Sequence, residues 1–279
     1  MSIGTYFKRM ARYVIKGVPE QHISVKVFES PVGGRLAGKR ILITGGSRGL
    51  GYYIARRCIM DGAQVVITGR KAASLEKASR ELGEGCDWIE HDVSDIAGMP
   101  ALLRNVERKL GGKIDCLVSN AGISLHEGSF RNVTEAGWDL QMDTNLKGNF
   151  FMVKEYIQYL EEKDNQEASV VVITSERAKR PDDIPYGLTK VASNSFVQSI
   201  AAKVIKNGIR VNAVAPGVTA SDMTGYDRDG DLYAGWQAGN RIFLPEEVAE
   251  VTVFLLSDLS ACISGEVINC DQGRYISCW

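Results

Sequence analysis

The chain has almost no net charge: 33 lysines and arginines face 34 aspartates and glutamates, a formal charge of −1 at pH 7. Without a basic excess it has no global attraction to nucleic acid or to an anionic membrane. It also lacks any Cys-x-x-Cys pair, and most of its six cysteines lie in apolar runs, where a free thiol behaves as a small hydrophobe. A reducing cytoplasm is the expected compartment, and no metal site is expected. No stretch has the length and purity to span a bilayer, and the N-terminal segment lacks the continuous apolar run of a signal peptide. Targeting is therefore not expected. No internal repeat or low-complexity tract interrupts the pattern. What remains is 279 residues, 44% hydrophobic and 24% charged, the composition of a globular protein of one large domain or two small ones.

Residues 1–36 stand apart as an N-terminal arm. Ile3, Tyr6, Phe7, Met10, Tyr13 and Val14 share one helical face, Lys8, Arg9, Arg12 and Lys16 supply only positive charge, and Gly17 with Pro19 ends the segment. The favoured reading of this basic amphipathic helix packs its apolar face on the domain or on another subunit. An anionic membrane surface or an acidic partner is the alternative. Ile23, Val25 and Val27 then alternate as an edge strand would, before a loop at Pro31–Gly34.

Over residues 37–279, strand-like runs at 40–44, 64–68, 87–91, 114–119, 169–174, 209–215 and 266–270 alternate with helical segments. The helices are expected at 50–61, 72–82, 99–110, 135–160, 186–206 and 246–257. Near-continuous apolar strands separated by helices imply a doubly wound α/β domain, its mainly parallel sheet covered on both faces. In such a sheet ligands gather at the carboxyl ends of the strands.

Polar and glycine-rich clusters follow those ends. The first strand runs into Thr44-Gly45-Gly46-Ser47-Arg48-Gly49-Leu50-Gly51, where glycines allow positive torsions and close backbone approach, and the helix that follows offers free N–H groups to a phosphate. The spacing is not Gly-x-Gly-x-x-Gly. After the second strand comes Arg70 rather than the carboxylate that suits a ribose 2′-hydroxyl; with Arg48 it favours a 2′-phosphate, hence NADP over NAD. Asp92, followed by Val93, can face an adenine amino group or cap a turn. Asn120-Ala121-Gly122 leaves room for a ribose and lets Asn120 bond across strand ends. Tyr186 and Lys190 are four apart and share a helical face. A free tyrosine ionises near pH ~10, and each unit of lowering takes about 1.4 kcal/mol of selective phenolate stabilisation, which a cation can supply.

Taken together, Thr44-Gly45-x-x-x-Gly49-x-Gly51, Asn120-Ala121-Gly122, Asn145, Ser175, Tyr186-x-x-x-Lys190 and Pro216-Gly217, in that order, resemble the short-chain dehydrogenase/reductase family over residues 37–279. The resemblance implies a single Rossmann-type domain with a seven-stranded sheet and hydride transfer between a nicotinamide and a carbonyl carbon. It makes Tyr186 the acid/base and has Ser175 orient the reacting oxygen. Lys190 would hold the nicotinamide ribose and lower the tyrosine pKa, and Asn145 would sustain a water-linked proton path to Lys190. The glycine turn (Thr44, Gly45, Ser47, Arg48, Gly49, Leu50, Gly51), Arg70, Asp92, Val93, Asn120, Ala121 and Gly122 would contact the cofactor, with Pro216, Gly217, Val218 and Thr219 near the nicotinamide end.

One departure from the family is the charged loop 176–185, which sets Ser175 unusually close to Tyr186 and leaves Thr174 as a substitute. Its basic residues Arg177, Lys179 and Arg180 are read as facing solvent, with an anionic substrate as the alternative. Residues 220–244 combine Asp222, Asp227, Asp229 and Asp231 with Tyr226, Tyr233, Trp236 and several glycines, a mobile lid suited to a small sugar- or polyol-like substrate. A 3-oxoacyl thioester or steroid reductase is the alternative within the family. A non-catalytic NADP-binding regulatory or assembly protein is the alternative outside it. A homo-oligomer is expected through the long helices and the chain end.

Overall fold

Seven short aliphatic runs become the strands of one sheet in the computed structural model, which describes residues 33–163 and 167–275. The expected N-terminal helix and the strand at 23–27 lie outside these residues. The strands are β1 (Arg40–Thr44), β2 (Gln64–Gly69), β3 (Cys86–Glu90), β4 (Cys116–Ser119), β5 (Ala168–Ile173), β6 (Ile209–Pro216) and β7 (Val267–Cys270). They pair in the order β3-β2-β1-β4-β5-β6-β7, and every pairing is parallel. This is the expected doubly wound, Rossmann-like sheet, with its switch point between β1 and β4.

The helices are α1 (Gly49–Met60), α2 (Ala72–Leu82), α3 (Met99–Lys109), α4 (Glu135–Gln141), α5 (Asn149–Glu162), α6 (Pro185–Val204) and α7 (Pro245–Leu256). Alternation along each strand divides the core into two layers. Ile41, Ile43, Val65 and Ile67 face α1, α2 and α7 through Ile54, Leu75 and Val253. Leu42 and Val66 face the opposite way, toward Leu103, Met152, Tyr156 and Val197.

Most boundaries lie within one or two residues of the sequence expectation, and two differences stand out. The strand expected at 114–119 begins at Cys116. The single helix expected over 135–160 is interrupted by a π-helical turn at Met142–Gly148. Asn149 explains the interruption, because its amide donates to the carbonyls of Asn145 and Ala121, both at 2.9 Å, and so competes with the helix's own donors. Its Oδ1 meanwhile accepts from Ser119 Oγ at 2.6 Å. Such a turn is common at functional sites.

Ahead of β1, Leu36 is fully buried and its N–H bonds Asp61 O at 3.1 Å. Arg35 reaches the buried Asp61 carboxylate at 2.8 Å and Glu250 of α7 at 2.7 Å, fastening this segment to the domain.

Candidate active site

The glycine turn closes over the carboxyl ends of β1 and β4. Gly45 and Gly49 adopt φ of +68° and +55°, conformations that favour glycine, whereas Gly46 and Gly51 do not have positive φ. Gly51 is needed for space instead: a Cβ there would lie 2.3 Å from Gly45 O and 2.6 Å from Asn120 Nδ2. Thr44 Oγ1 accepts from the backbone N–H groups of Asn120 and Ala121 at 3.0 and 3.1 Å, and the Asn120 amide donates to Thr44 O and Gly45 O.

The start of α1 suits a phosphate group. Arg48 caps it without a side-chain hydrogen bond, and the first turn carries no acidic residue. A Cβ on Gly49 would meet nothing nearer than Ser221 Cβ at 3.9 Å, so backbone is open to a ligand there. Gly46 N–H bonds Thr68 O at 3.1 Å, and a Cβ on Gly69 would lie 3.8 Å from Ser47 Oγ, which brings the turn against the end of β2 where Arg70 stands exposed. Arg48 pairs with Asp222 of the lid at 3.4 Å. Asp92 accepts from Ser94 N and Oγ at 2.9 and 2.8 Å, the turn-capping role, and Val93 is buried with its carbonyl against Gly148.

A second cluster lies across β4, β5 and α6. Lys190 Nζ is buried, donates to Ile173 O at 3.0 Å and sits 5.6 Å from the Tyr186 ring centroid. Burial pushes Lys190 down to about 8. Asn145, in the π-helical turn, exchanges two 2.8 Å hydrogen bonds with the backbone of Ile123. A Cβ on Gly122 would fall 3.3 Å from Asn145 Oδ1 and 3.7 Å from Lys190 Nζ, so these three residues are neighbours. The Ser175 hydroxyl stands near enough to the Tyr186 phenol to pull its pKa down against burial. Thr174 is not a substitute for it, because its hydroxyl bonds Val214 O at 3.3 Å and is turned toward β6.

All of these residues but Thr44 fall within a match to the family described as enoyl-(acyl carrier protein) reductase, over residues 45–274. Human dehydrogenase/reductase SDR family member 4 is 33% identical over 242 residues, covering 84% of this chain and 86% of that protein. The chain belongs to the short-chain dehydrogenase/reductase family. Galactitol 2-dehydrogenase of Agrobacterium fabrum is 30% identical over 258 residues, covering 87% of this chain and all (100%) of that protein. The solved structure titled "Crystal structure of gox2181" superposes with a TM-score of 0.80 at 27% identity, covering 87% of this chain and 98% of that one. This short-chain dehydrogenase/reductase is thus an NAD(P)-dependent oxidoreductase.

The short loop before Tyr186 differs from its solvent-facing reading. Ser175 caps a 3-10 turn at Glu176–Lys179, accepting from Arg177 N at 3.2 Å. Arg177 grips Asp182 with two bonds of 2.5 and 2.7 Å, and the Asp182 side chain, 1% exposed, rests on Gly187, where a Cβ would be 2.1 Å from its Cγ. Gly187 therefore allows the loop to be short. Lys179 and Arg180 are exposed as expected. Burial holds the Tyr186 phenol above the usual tyrosine range, against the opposing pull of the Ser175 hydroxyl and the Arg177 guanidinium. Arg177 is thus a cation at the site that the Tyr-x-x-x-Lys spacing does not reveal.

The lid begins at Thr219, which bridges to Phe243, and Val218 O accepts from Phe243 N at 3.0 Å. Pro216 ends β6, and Gly217 N–H bonds Cys270 O at 2.9 Å, which fixes the base of the lid against β7. Arg228 fastens the middle of the lid to α1 and α7, bonding the Tyr53 hydroxyl and Glu246 Oε1, the latter at 2.8 Å.

Proposed function

We propose that this enzyme interconverts a carbonyl and a secondary alcohol using NADP, with Tyr186 as acid/base, on a small polar substrate of polyol or sugar type. The observation that carries the reading is the buried Lys190 Nζ 5.6 Å from the Tyr186 ring centroid, with Ser175 near the phenol. The nicotinamide supplies or accepts the hydride. In the reducing direction Ser175 holds the substrate oxygen and Tyr186 gives it a proton; in oxidation Tyr186 removes that proton. The phenolate left after reduction is favoured by the Lys190 ammonium and the Arg177 guanidinium, and Asn145 keeps Lys190 within reach of protons through water. Tyr186 and Lys190 would also hold the nicotinamide ribose.

Arg48 and Arg70 flank the junction of the glycine turn and β2, where two guanidiniums suit a 2′-phosphate better than a ribose hydroxyl. The polar substrate is supported by the lid, with exposed Tyr233 and Trp236 beside aspartates, and by the galactitol activity in the name of one relative. An acyl thioester or steroid finds less to bind in such a flap. The free thiols suit a reducing cytoplasm. Exposed Trp138, Leu140, Phe150, Leu188 and Val191, on the helices over one face of the sheet, support a homo-oligomer, which sedimentation would test.

A fluorescence titration with NADPH and NADH tests the cofactor. The expected result is tight NADPH binding, weak NADH binding and about a tenfold loss for NADPH alone in Arg48→Ala, roughly one charged contact. Equal affinity for both would return the arginines to the surface. A panel of polyols and ketoses tests the substrate class, and turnover of steroids or acyl thioesters alone would defeat it.

A further inference from the structure

Three buried polar atoms, one on the residue after the proposed catalytic serine and two on a lid side chain, have no hydrogen-bond partner among the described residues. Glu176 directly follows Ser175 and is 3% exposed; its Oε1 meets Arg274 Nη1 at 2.7 Å, while Oε2 is buried without a hydrogen bond. Gln237, in the lid and also 3% exposed, has neither its Oε1 nor its Nε2 bonded. Buried polar groups are nearly always paired in a folded protein, so unpaired ones mark a place where something else completes them.

Both residues are attached to one short segment. Arg274, which holds Glu176, stacks 4.7 Å from the Trp236 ring centroid and 5.1 Å from that of Tyr275. Gly239 abuts Gln272, whose Oε1 lies 1.5 Å from where a Cβ would stand. The lid residues on either side of Gln237 are therefore seated on Gln272 and Arg274, and Arg274 ties that seat to the residue after Ser175. The chemistry of the three atoms is complementary to neighbouring hydroxyls: a carboxylate oxygen accepts, and a carboxamide both donates and accepts.

We propose that Glu176 Oε2 and the Gln237 carboxamide form a hydroxyl-recognition subsite for a substrate that carries hydroxyl groups beyond the one oxidised. This rests on the polyol reading above and names the residues that would enforce it. Arg274 is then a positioning residue that leaves one Glu176 oxygen for the substrate. A site built to bond a hydroxyl discriminates strongly against an analogue lacking it, because its own buried groups are left unpaired.

The test uses the full-length enzyme with NADP and a panel of galactitol, sorbitol and xylitol, comparing wild type with Glu176→Gln and Gln237→Leu. The expected result is a rise of at least tenfold in KM for the preferred polyol in each variant, with the NADPH dissociation constant within twofold of wild type. Gln237→Leu should melt no lower than wild type, since an unpaired amide is replaced by an apolar side chain of similar size. The polyol should raise the melting temperature of the NADP-loaded wild type and not that of Gln237→Leu. Unchanged KM values in both variants would overturn the subsite and leave the polyol reading standing. A joint loss of NADPH affinity and thermal stability would also overturn it, in favour of a structural role. A wild type that turns over no polyol overturns both readings.

Discussion

Around the glycine turn the strand ends are joined by backbone groups and the short side chains of Thr44 and Asn120, at 2.9–3.1 Å. The lid has backbone bonds at its base, and beyond them it is held by long charged side chains: Arg228 to Glu246, Arg48 to Asp222, Arg274 to Glu176. The first kind of junction tolerates almost no change of shape, because a single added carbon collides with backbone. The second kind is adjustable, since each of its pairs can part without displacing a strand. Under the proposed function, this would set a rigid cradle for the cofactor against an adjustable surface for the substrate.

The largest test of this contrast is Tyr186→Phe, which removes the proposed acid/base at the seam. Turnover is expected to fall about 1,000-fold, within the range of general acid–base catalysis, with NADPH affinity retained in a fluorescence titration. Retained turnover would move the acid/base role to another residue.

Next comes Lys190, whose burial lowers it to about 8 from an ordinary 10.5. Below pH ~8 the folded protein bears the cost of a buried ammonium; between about 8 and 10.5 the unfolded chain binds more protons, so this group's contribution to stability rises with pH, by about 3 kcal/mol in all. Urea midpoints of wild type and Lys190→Met across that window should diverge in favour of wild type as pH rises. Parallel curves would show that the lysine titrates normally.

On the rigid side, Gly51→Ala places a methyl 2.3 Å from Gly45 O and should cost about 1–3 kcal/mol, with weaker binding of both nucleotides. A variant with unchanged melting temperature and affinity would show the turn to be as adjustable as the lid. The smallest effect is expected at Asp222→Asn, which frees Arg48 from an exposed pair at 3.4 Å. NADPH should bind up to about fivefold tighter, the scale of a surface ion pair, and NADH should bind unchanged.

The same contrast explains what was legible in the sequence. The strands and helices follow from period-2 and period-3.6 apolar patterns, and the glycine turn and Tyr186–Lys190 pair are local in sequence, so all could be read from neighbouring residues. The π-helical turn could not, because Asn149 causes it by reaching Ala121 O, 28 positions away. Arg177 looked like a solvated charge because nothing local shows that the Asp182 side chain is buried against Gly187. Glu176 and Arg274, 98 residues apart, gave no signal beyond the charge of the loop. Pairs of this kind become visible only once the sheet has brought the strand ends together.

The all-parallel strand order also bears on how the chain reaches its fold. No two neighbouring strands can be closed by a hairpin, so every pairing waits for a crossover, and contacts of long sequence separation make such sheets slow to form. β5 is buried along its whole length, Ala168–Ile173, and is flanked by β4 on one side and β6 on the other. During synthesis the edge of β5 that β6 covers stays open until α6 and β6 have followed it out of the ribosome, so the later part of the chain closes that edge.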